Sequence, residues 1–225
     1  MSNLKVSIII PTRKRSSLLI PRLRCIERNT PELRSGGAEL IYVVDEDDPD
    51  SRSLLEKNNH RLTIVPKLTT PANKWNHVLP DIARGEWLVT LSDDSAPHPN
   101  WLTNALVTKN YGFLALPDQN LERSRNQFTP LYMATREWLR KFNGGVLVLP
   151  VYGIWYADIE TCFRAQKSLT YTVAWNSMVE QLHADYGSAP DDETYAIGRA
   201  RRISDLKIFE ERQRQGFPDN FERIL

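Results

Sequence analysis

Glu86-Trp-Leu-Val-Thr-Leu-Ser-Asp93-Asp94-Ser-Ala-Pro-His-Pro-Asn-Trp101 is the stretch on which the fold turns. A short apolar run bounded by polar and proline residues reads as a buried strand. Asp93 and Asp94 then stand at its C-terminal end, the edge where open α/β sheets bind ligands. Two carboxylates there suit a divalent cation with oxygen ligands, and such a cation commonly carries a substrate phosphate. The same residues also suit an Asp-Asp-Ser turn that caps a helix starting near Pro99. Both readings stay open on this stretch alone.

Outward from it, the first half alternates strand and helix signals. Lys5–Ile10 is apolar and β-branched and runs into Pro11-Thr12-Arg13. Ser16–Arg28 places Leu18, Leu19, Leu23 and Ile26 at helical spacing, with Ser16 or Ser17 as N-cap. Pro21 is tolerable only near the first turn of that helix. Pro31–Gly37 reads as a loop. Glu39–Val44 predicts a second strand that ends in the acidic run Asp45-Glu46-Asp47-Asp48. A short helix follows over Pro49–Lys57, a strand over Arg61–Val65, and a helix over Asn73–Arg84 closed by Gly85 at its C′ position. Glu86–Leu91 is the fourth strand, Asn100–Lys109 a helix and Gly112–Leu116 a fifth strand. Repeated units of this kind argue for a mostly parallel α/β sheet flanked by helices. Thr12-Arg13, Asp45–Asp48 and Asp93-Asp94 would then gather along one sheet edge as a polar cleft.

The second half is less regular. Asp118–Thr129 reads as a polar loop, Arg136–Lys141 and Asp158–Lys167 as helices, and Val146–Val151 and Leu169–Ala174 as strands. Asp191–Arg214 is helical and charged, and its basic members are Arg199, Arg201, Arg202, Lys207, Arg212 and Arg214. A solvated amphipathic helix and a basic surface for an anionic acceptor both fit that run.

The 225 residues carry Lys+Arg 29 against Asp+Glu 28, a net charge of +1, so no global field favours nucleic acid or an anionic membrane. That length suits one globular domain with an ordinary core. Cys25 and Cys162 lie far apart, which argues against a disulfide framework and fits a reducing, cytoplasmic setting. The apolar runs are too short to span a bilayer, and the N-terminus lacks the apolar stretch of a secretory signal.

The order of these clusters resembles the family-2 glycosyltransferases of GT-A fold. Val6-Ser-Ile-Ile-Ile-Pro-Thr-Arg13 is similar to the family's first strand and nucleotide loop, and Tyr42-Val-Val-Asp45 to its second strand. Lys74-Trp-Asn76 with Ala83-Arg-Gly-Glu86 is similar to its Asn…Ala-x-Gly-Glu step. Leu91-Ser-Asp-Asp94 followed by Pro99-Asn-Trp-Leu102 resembles its Asp-x-Asp strand end. Gly153-Ile-Trp-Tyr-Ala-Asp158-Ile-Glu-Thr-Cys-Phe-Arg164 resembles its Glu-Asp-x-Asp-x-x-x-Arg helix start. The resemblance covers residues 4 to 190. Two positions depart from it: serine stands at 92, where the first Asp of Asp-x-Asp would be, and alanine at 157, in place of the Glu of the Glu-Asp pair.

The resemblance implies a Rossmann-like GT-A sheet with a nucleotide-sugar-binding half over 1–117, an acceptor and catalytic half of the same domain over 118–190, and a helical C-terminal extension over 191–225. It implies a metal-dependent inverting transfer from a UDP- or dTDP-sugar to an acceptor hydroxyl, with Mn²⁺ or Mg²⁺ neutralising the leaving diphosphate. Asp94 would be the direct metal ligand, and His183 a further one, with Asp185 acting through a water. Asp93 would face the donor sugar or a metal-bound water. Pro11, Thr12 and Arg13 would approach the nucleotide, Asp45 or Asp47 would accept from the base N3–H, and Lys74 and Asn76 would lie against the donor. Asp158 would be the base, with Glu160 competing for that role or contacting the acceptor.

Trp155, Tyr156 and Trp175 are candidates to stack an acceptor ring, and Trp87 and Trp101 read as core. The acceptor is open among saccharides, lipid-linked groups, protein side chains and hydroxymethylated DNA bases. The last rests on the basic run Arg199–Arg214 and the aromatics near Asp158, and a duplex base would have to flip to reach the cleft. Two other classes compete. A nucleotidyltransferase would use similar carboxylates but normally a glycine-rich phosphate loop, and Pro11–Arg15 contains no glycine. An inactive sugar-nucleotide-binding module is suggested by the departures at 92 and 157.

Overall fold

The computed structural model describes residues 4–67, 69–125, 128–184, 187 and 191–219. Its centre is β1 (Val6–Thr12), a β-branched strand whose first five residues are all buried. Burial on both faces is what a strand covered by helices on each side requires. Ile9 packs into the core on one face of the sheet, and Ile8 and Ile10 into the core on the other. β2 (Ala38–Asp45) and β4 (Trp87–Thr90) flank β1 in parallel, and β3 (Leu62–Val65) lies parallel outside β2. Beyond β4 the sheet continues with β7 (Leu131–Thr135) and β6 (Phe113–Leu116), β7 running antiparallel to both neighbours. The order is thus β3-β2-β1-β4-β7-β6. The mostly parallel α/β sheet expected from the sequence is present. The antiparallel β7 comes from a segment whose sequence carried no strand signal strong enough to be read.

Helices α1 (Ser16–Asn29), α3 (Pro49–Lys57) and α5 (Trp101–Val107) follow the expected spans closely. The N-cap of α1 is Arg15 rather than Ser16 or Ser17, and no side chain caps it. Short helices α2 (Pro31–Ser35) and α6 (Leu121–Arg125) occupy segments expected to be loops. Further along are α7 (Arg136–Phe142), α8 (Ala157–Lys167) and α9 (Glu193–Arg214). A two-stranded antiparallel sheet, β5 (Ser95–Pro97) with β8 (Val179–Gln181), was not anticipated. It brings the chain around residue 182 back to the end of β4, where the Leu182 N–H donates to the Asp94 carbonyl at 2.9 Å.

Three expectations need correction. α4 spans only Pro71–His77, and Gly85 is not its left-handed cap. The Gly85 N–H donates to Ser7 Oγ at 2.8 Å, and a Cβ there would sit 2.4 Å from the Ser7 backbone nitrogen. The glycine is required by close approach to β1, not by positive φ. Val146–Val151 is buried but forms no strand. Its backbone is satisfied by the Asn76 side chain, whose Oδ1 accepts from the Leu147 and Val148 N–H groups and whose Nδ2 donates to the Val148 carbonyl. Among the described residues, Leu169–Ala174 makes only a single bridge, Val173 with Ala115.

α9 is fastened along its length. Asp192 caps it by accepting from the Tyr195 N–H at 3.1 Å. Asp205 accepts from the N–H groups of Gly153, Ile154 and Trp155. Near its end, fully buried Arg212 pairs with fully buried Glu160 at 2.8 Å. Among the described residues, no helix is long and apolar enough to cross a membrane.

Candidate active site

The C-terminal ends of β1, β2 and β4 deliver the polar clusters to one edge. Thr12 at the end of β1 donates to Asp93 Oδ2 at 2.9 Å. Arg13 pairs with Asp47 at 3.0 Å and approaches Asp45 at 3.4 Å. Lys74, almost fully buried on α4, donates to Asp45 Oδ2 at 2.5 Å. Parallel strands in register make this convergence unavoidable, because strand ends that lie side by side place their following loops side by side.

Around this edge, three sequence-distant groups line one cavity of about 490 Å³: Asp94, Asp158 and His183. Asp94 follows β4, and its Oδ1 accepts from Ser92 Oγ at 2.5 Å. The serine that replaces the expected aspartate at 92 therefore holds Asp94. His183 comes in on the β8 return, its ring edge-on to Tyr195 with centroids 4.4 Å apart. Asp158 opens α8. Burial raises its pKa, and the N–H groups at the helix start and the charge of Arg123 only partly oppose that. Among the described residues, no group of three or more His, Cys, Asp or Glu side chains forms a ready cation cage. Asp185 lies outside the described residues.

Arg15 was not anticipated, although it ends the cationic run Arg13-Lys-Arg15. It bonds Asp93 at 2.7 Å and Asp192 at 2.8 Å, lies 3.8 Å from Asp94, and stacks over the Tyr195 ring at 4.4 Å. Burial alone would lower its pKa, but Asp93 and Asp192 reverse this and hold it charged. Burial raises the pKa of Asp93, with Arg15 opposing. Tyr195 on α9 is the second unanticipated residue, donating its hydroxyl to Asp94.

Other expected site residues fall elsewhere. Asp93 does not line the cavity: it is turned beneath the loop, where Thr12 and Arg15 occupy it. Asn76 is taken up by the backbone at 147–148, which leaves it nothing to offer a donor. Glu160 is fully buried among Arg164, Arg212 and Tyr152, so it is an anchor for α9 and cannot reach an acceptor. Tyr156 stacks on Phe209 at 5.1 Å and lies outside the cavity lining, as does Trp175. Trp155 does line it, fixed by its Nε1–H donating to the Gly198 carbonyl at 2.6 Å. Trp101 is core, as expected. The basic run does not form one face: Arg212 is spent on Glu160 and Arg214 pairs with Glu211, while Arg199, paired with exposed Asp191, and Arg202 line the large cavity and Arg201 a smaller one.

No family model and no curated protein matches this chain. Solved structures do. The mannosyltransferase PcManGT from Pyrobaculum calidifontis, in complex with GDP-Man and Mn²⁺, aligns with a TM-score of 0.65 at 19% identity over 90% of this chain. Glucosyl-3-phosphoglycerate synthase from Mycobacterium tuberculosis, in complex with Mg²⁺ and uridine diphosphate, aligns at 0.64 and 14% identity over 96% of this chain and 81% of its own. GalNAc-T7 with UDP, GalNAc and Mn²⁺ aligns at 0.60 and 13% identity over 80% of this chain. The chain spans 61% of the mannosyltransferase and 43% of GalNAc-T7. At these identities the likeness establishes the fold, which is GT-A.

Proposed function

We propose that this protein is a metal-dependent inverting glycosyltransferase that moves a sugar from a UDP- or dTDP-sugar to an acceptor hydroxyl. The observation that carries the reading is the meeting of Asp94, His183 and Asp158 on one cavity at the C-terminal edge of the parallel strands. The complexes of the structural neighbours with Mn²⁺ or Mg²⁺ and a nucleotide or nucleotide sugar support it.

Asp158 takes the proton of the acceptor hydroxyl as that oxygen attacks the anomeric carbon. Its raised pKa makes it a stronger base than an exposed aspartate. Asp94 and His183 would hold a divalent cation, since a carboxylate and an imidazole are both ligands such an ion accepts. When bound, that ion neutralises charge on the departing nucleoside diphosphate. On the nucleotide side, buried Asp45 Oδ1 and Arg13 Nε have no hydrogen-bond partner among the described residues. A buried acceptor left open beside a donor fits a ligand that brings both, such as a uracil or thymine N3–H and a phosphate oxygen. Fitting acceptors are a saccharide, a lipid-linked group, a protein side chain or a hydroxymethylated DNA base flipped from its duplex.

The test is nucleoside diphosphate release and product configuration with a panel of UDP- and dTDP-sugars, with and without Mn²⁺. Asp94→Ala and Asp158→Ala are each expected to abolish transfer, and only the first to weaken metal-dependent nucleotide binding. Full activity in both variants overturns the assignment. Release of pyrophosphate instead would point to a nucleotidyltransferase, and nucleotide binding without turnover or donor hydrolysis to a binding module. A product of retained configuration would overturn the inverting step alone.

A further inference from the structure

We propose that the α9 wall of the large cavity is an anion subsite, built from Arg202 and Arg199, that selects an acceptor carrying a phosphate group near its reacting hydroxyl. The proposal rests on the glycosyltransferase reading above and names its substrate class.

Among the described residues, one arginine of the cavity is left without a carboxylate. Its lining includes Arg15, Arg123, Arg199 and Arg202 against two carboxylates, Asp94 and Asp158. Arg15 is matched by Asp93 and Asp192, and Arg123 by Asp118. Arg202 has no carboxylate partner among the described residues. Its guanidinium instead lies over the Trp155 ring, 5.3 Å from the centroid. That ring is itself fixed, by its own N–H to the Gly198 carbonyl and by the Trp155 backbone N–H to Asp205. An arginine stacked on a fixed aromatic plane keeps its in-plane N–H groups for a ligand, and the geometry of that fork suits a phosphate.

Arg199 lies on the same face of α9 one turn earlier, and it lines the same cavity. Its partner Asp191 is exposed, at 2.7 Å. Exposed pairs of this kind hold their partners weakly, so a ligand phosphate can compete with Asp191 for the guanidinium. Arg201, between them in sequence, faces the smaller pocket beside Arg13 and Lys74. α9 thus divides the three arginines of its first half, one toward the nucleotide side and two toward the side of Asp158. The two-guanidinium arrangement opposite a general base suits a phosphorylated acceptor better than a neutral sugar.

The phosphate could be a monoester on a small acceptor or a diester in a DNA strand, and the experiment separates them. The full chain is loaded with UDP and Mn²⁺, which fills the diphosphate site, and is titrated calorimetrically with glycerol 1-phosphate, with glycerol, and with a short duplex containing 5-hydroxymethyluracil. At least one phosphate-bearing probe is expected to bind and glycerol not to. Arg202→Gln, alone and with Arg199→Gln, should weaken that binding by about tenfold, the worth of a charge-assisted hydrogen bond. Binding of the monoester identifies a small acceptor; binding of the duplex alone identifies nucleic acid. The subsite is overturned if UDP and Mn²⁺ bind but neither phosphate probe does, or if the variants bind as the natural protein does. Failure of UDP and Mn²⁺ to bind at all overturns the glycosyltransferase reading itself.

Discussion

The hydroxyl of Tyr195 donates to Oδ2 of Asp94 at 3.0 Å, joining residues 101 positions apart. One end of that bond is the carboxylate proposed above to hold a cation; the other is the first turn of α9. Arg15 closes the same junction from below, through Asp93 and Asp192. The start of α9 is thus latched to the end of β4 through the carboxylate to which the proposed function assigns a cation.

Removing the latch should therefore help the ligand. Tyr195→Phe deletes the hydroxyl and leaves the ring against His183. A bond to a charged acceptor contributes about 1.5 kcal/mol, so nucleotide affinity in the presence of Mn²⁺ should rise about tenfold, at the expense of thermal stability. Calorimetric titration and a melting curve on the same protein check both halves. Unchanged affinity would mean that Tyr195 stays bonded to Asp94 when the site is filled.

Asp158 should be poised for function against stability. Burial raises its folded pKa, so the folded chain keeps the proton to higher pH than the unfolded chain does. Ionising it at neutral pH therefore costs folding free energy. Asp158→Asn should abolish transfer yet raise the melting temperature at pH 7. That gain should fade below the ordinary aspartate range, at about pH 4, where the carboxyl is protonated in both states. The acid limb of kcat/KM in the natural protein should lie above the same value. A melting temperature lowered at pH 7 would count against the assignment.

Glu160 and Arg212 should behave as a structural pair. Both are fully buried and bonded at 2.8 Å. Breaking such a pair on one side leaves an uncompensated buried charge, which costs about 3 kcal/mol or more. Glu160→Ala and Arg212→Ala should each lower the melting temperature steeply. If Glu160 were instead the catalytic base, its variant would lose kcat and keep its stability.

Gly85→Ala should damage folding rather than chemistry. Its Cβ would meet the β1 backbone at Val6 and Ser7, which cannot move without disturbing the central strand. Overpacking of this kind costs about 1–3 kcal/mol, more where backbone must shift. A denaturant midpoint unchanged by the substitution would refute the close-approach account.

The alternation of β-branched runs with helical spacing was enough to read the parallel part of the sheet and the edge where polar residues collect. Strand periodicity and strand-end polarity are local properties, so Thr12, Arg13, Asp45 and Asp94 could be placed from the sequence. Strand β7 escaped because Leu131–Thr135 has no alternation to mark it and its direction depends on its partners. Val146–Val151 misled for the opposite reason: it is apolar enough for a strand, but Asn76, some seventy residues earlier, satisfies its backbone instead.

What the sequence determined by itself was the fold class and the carboxylate edge, because both follow from short-range pattern. What only the tertiary structure decided was the division of labour among the charged groups. Asp158 faces the cavity while Glu160, two residues on, turns into the protein toward Arg212, since successive helical positions point in different directions. Asp93 turns under the loop while its neighbour Asp94 faces outward to meet Tyr195. Which carboxylate is spent on a buried partner and which stays available to a ligand depends on residues brought from α1 and α9, and no local pattern records that pairing.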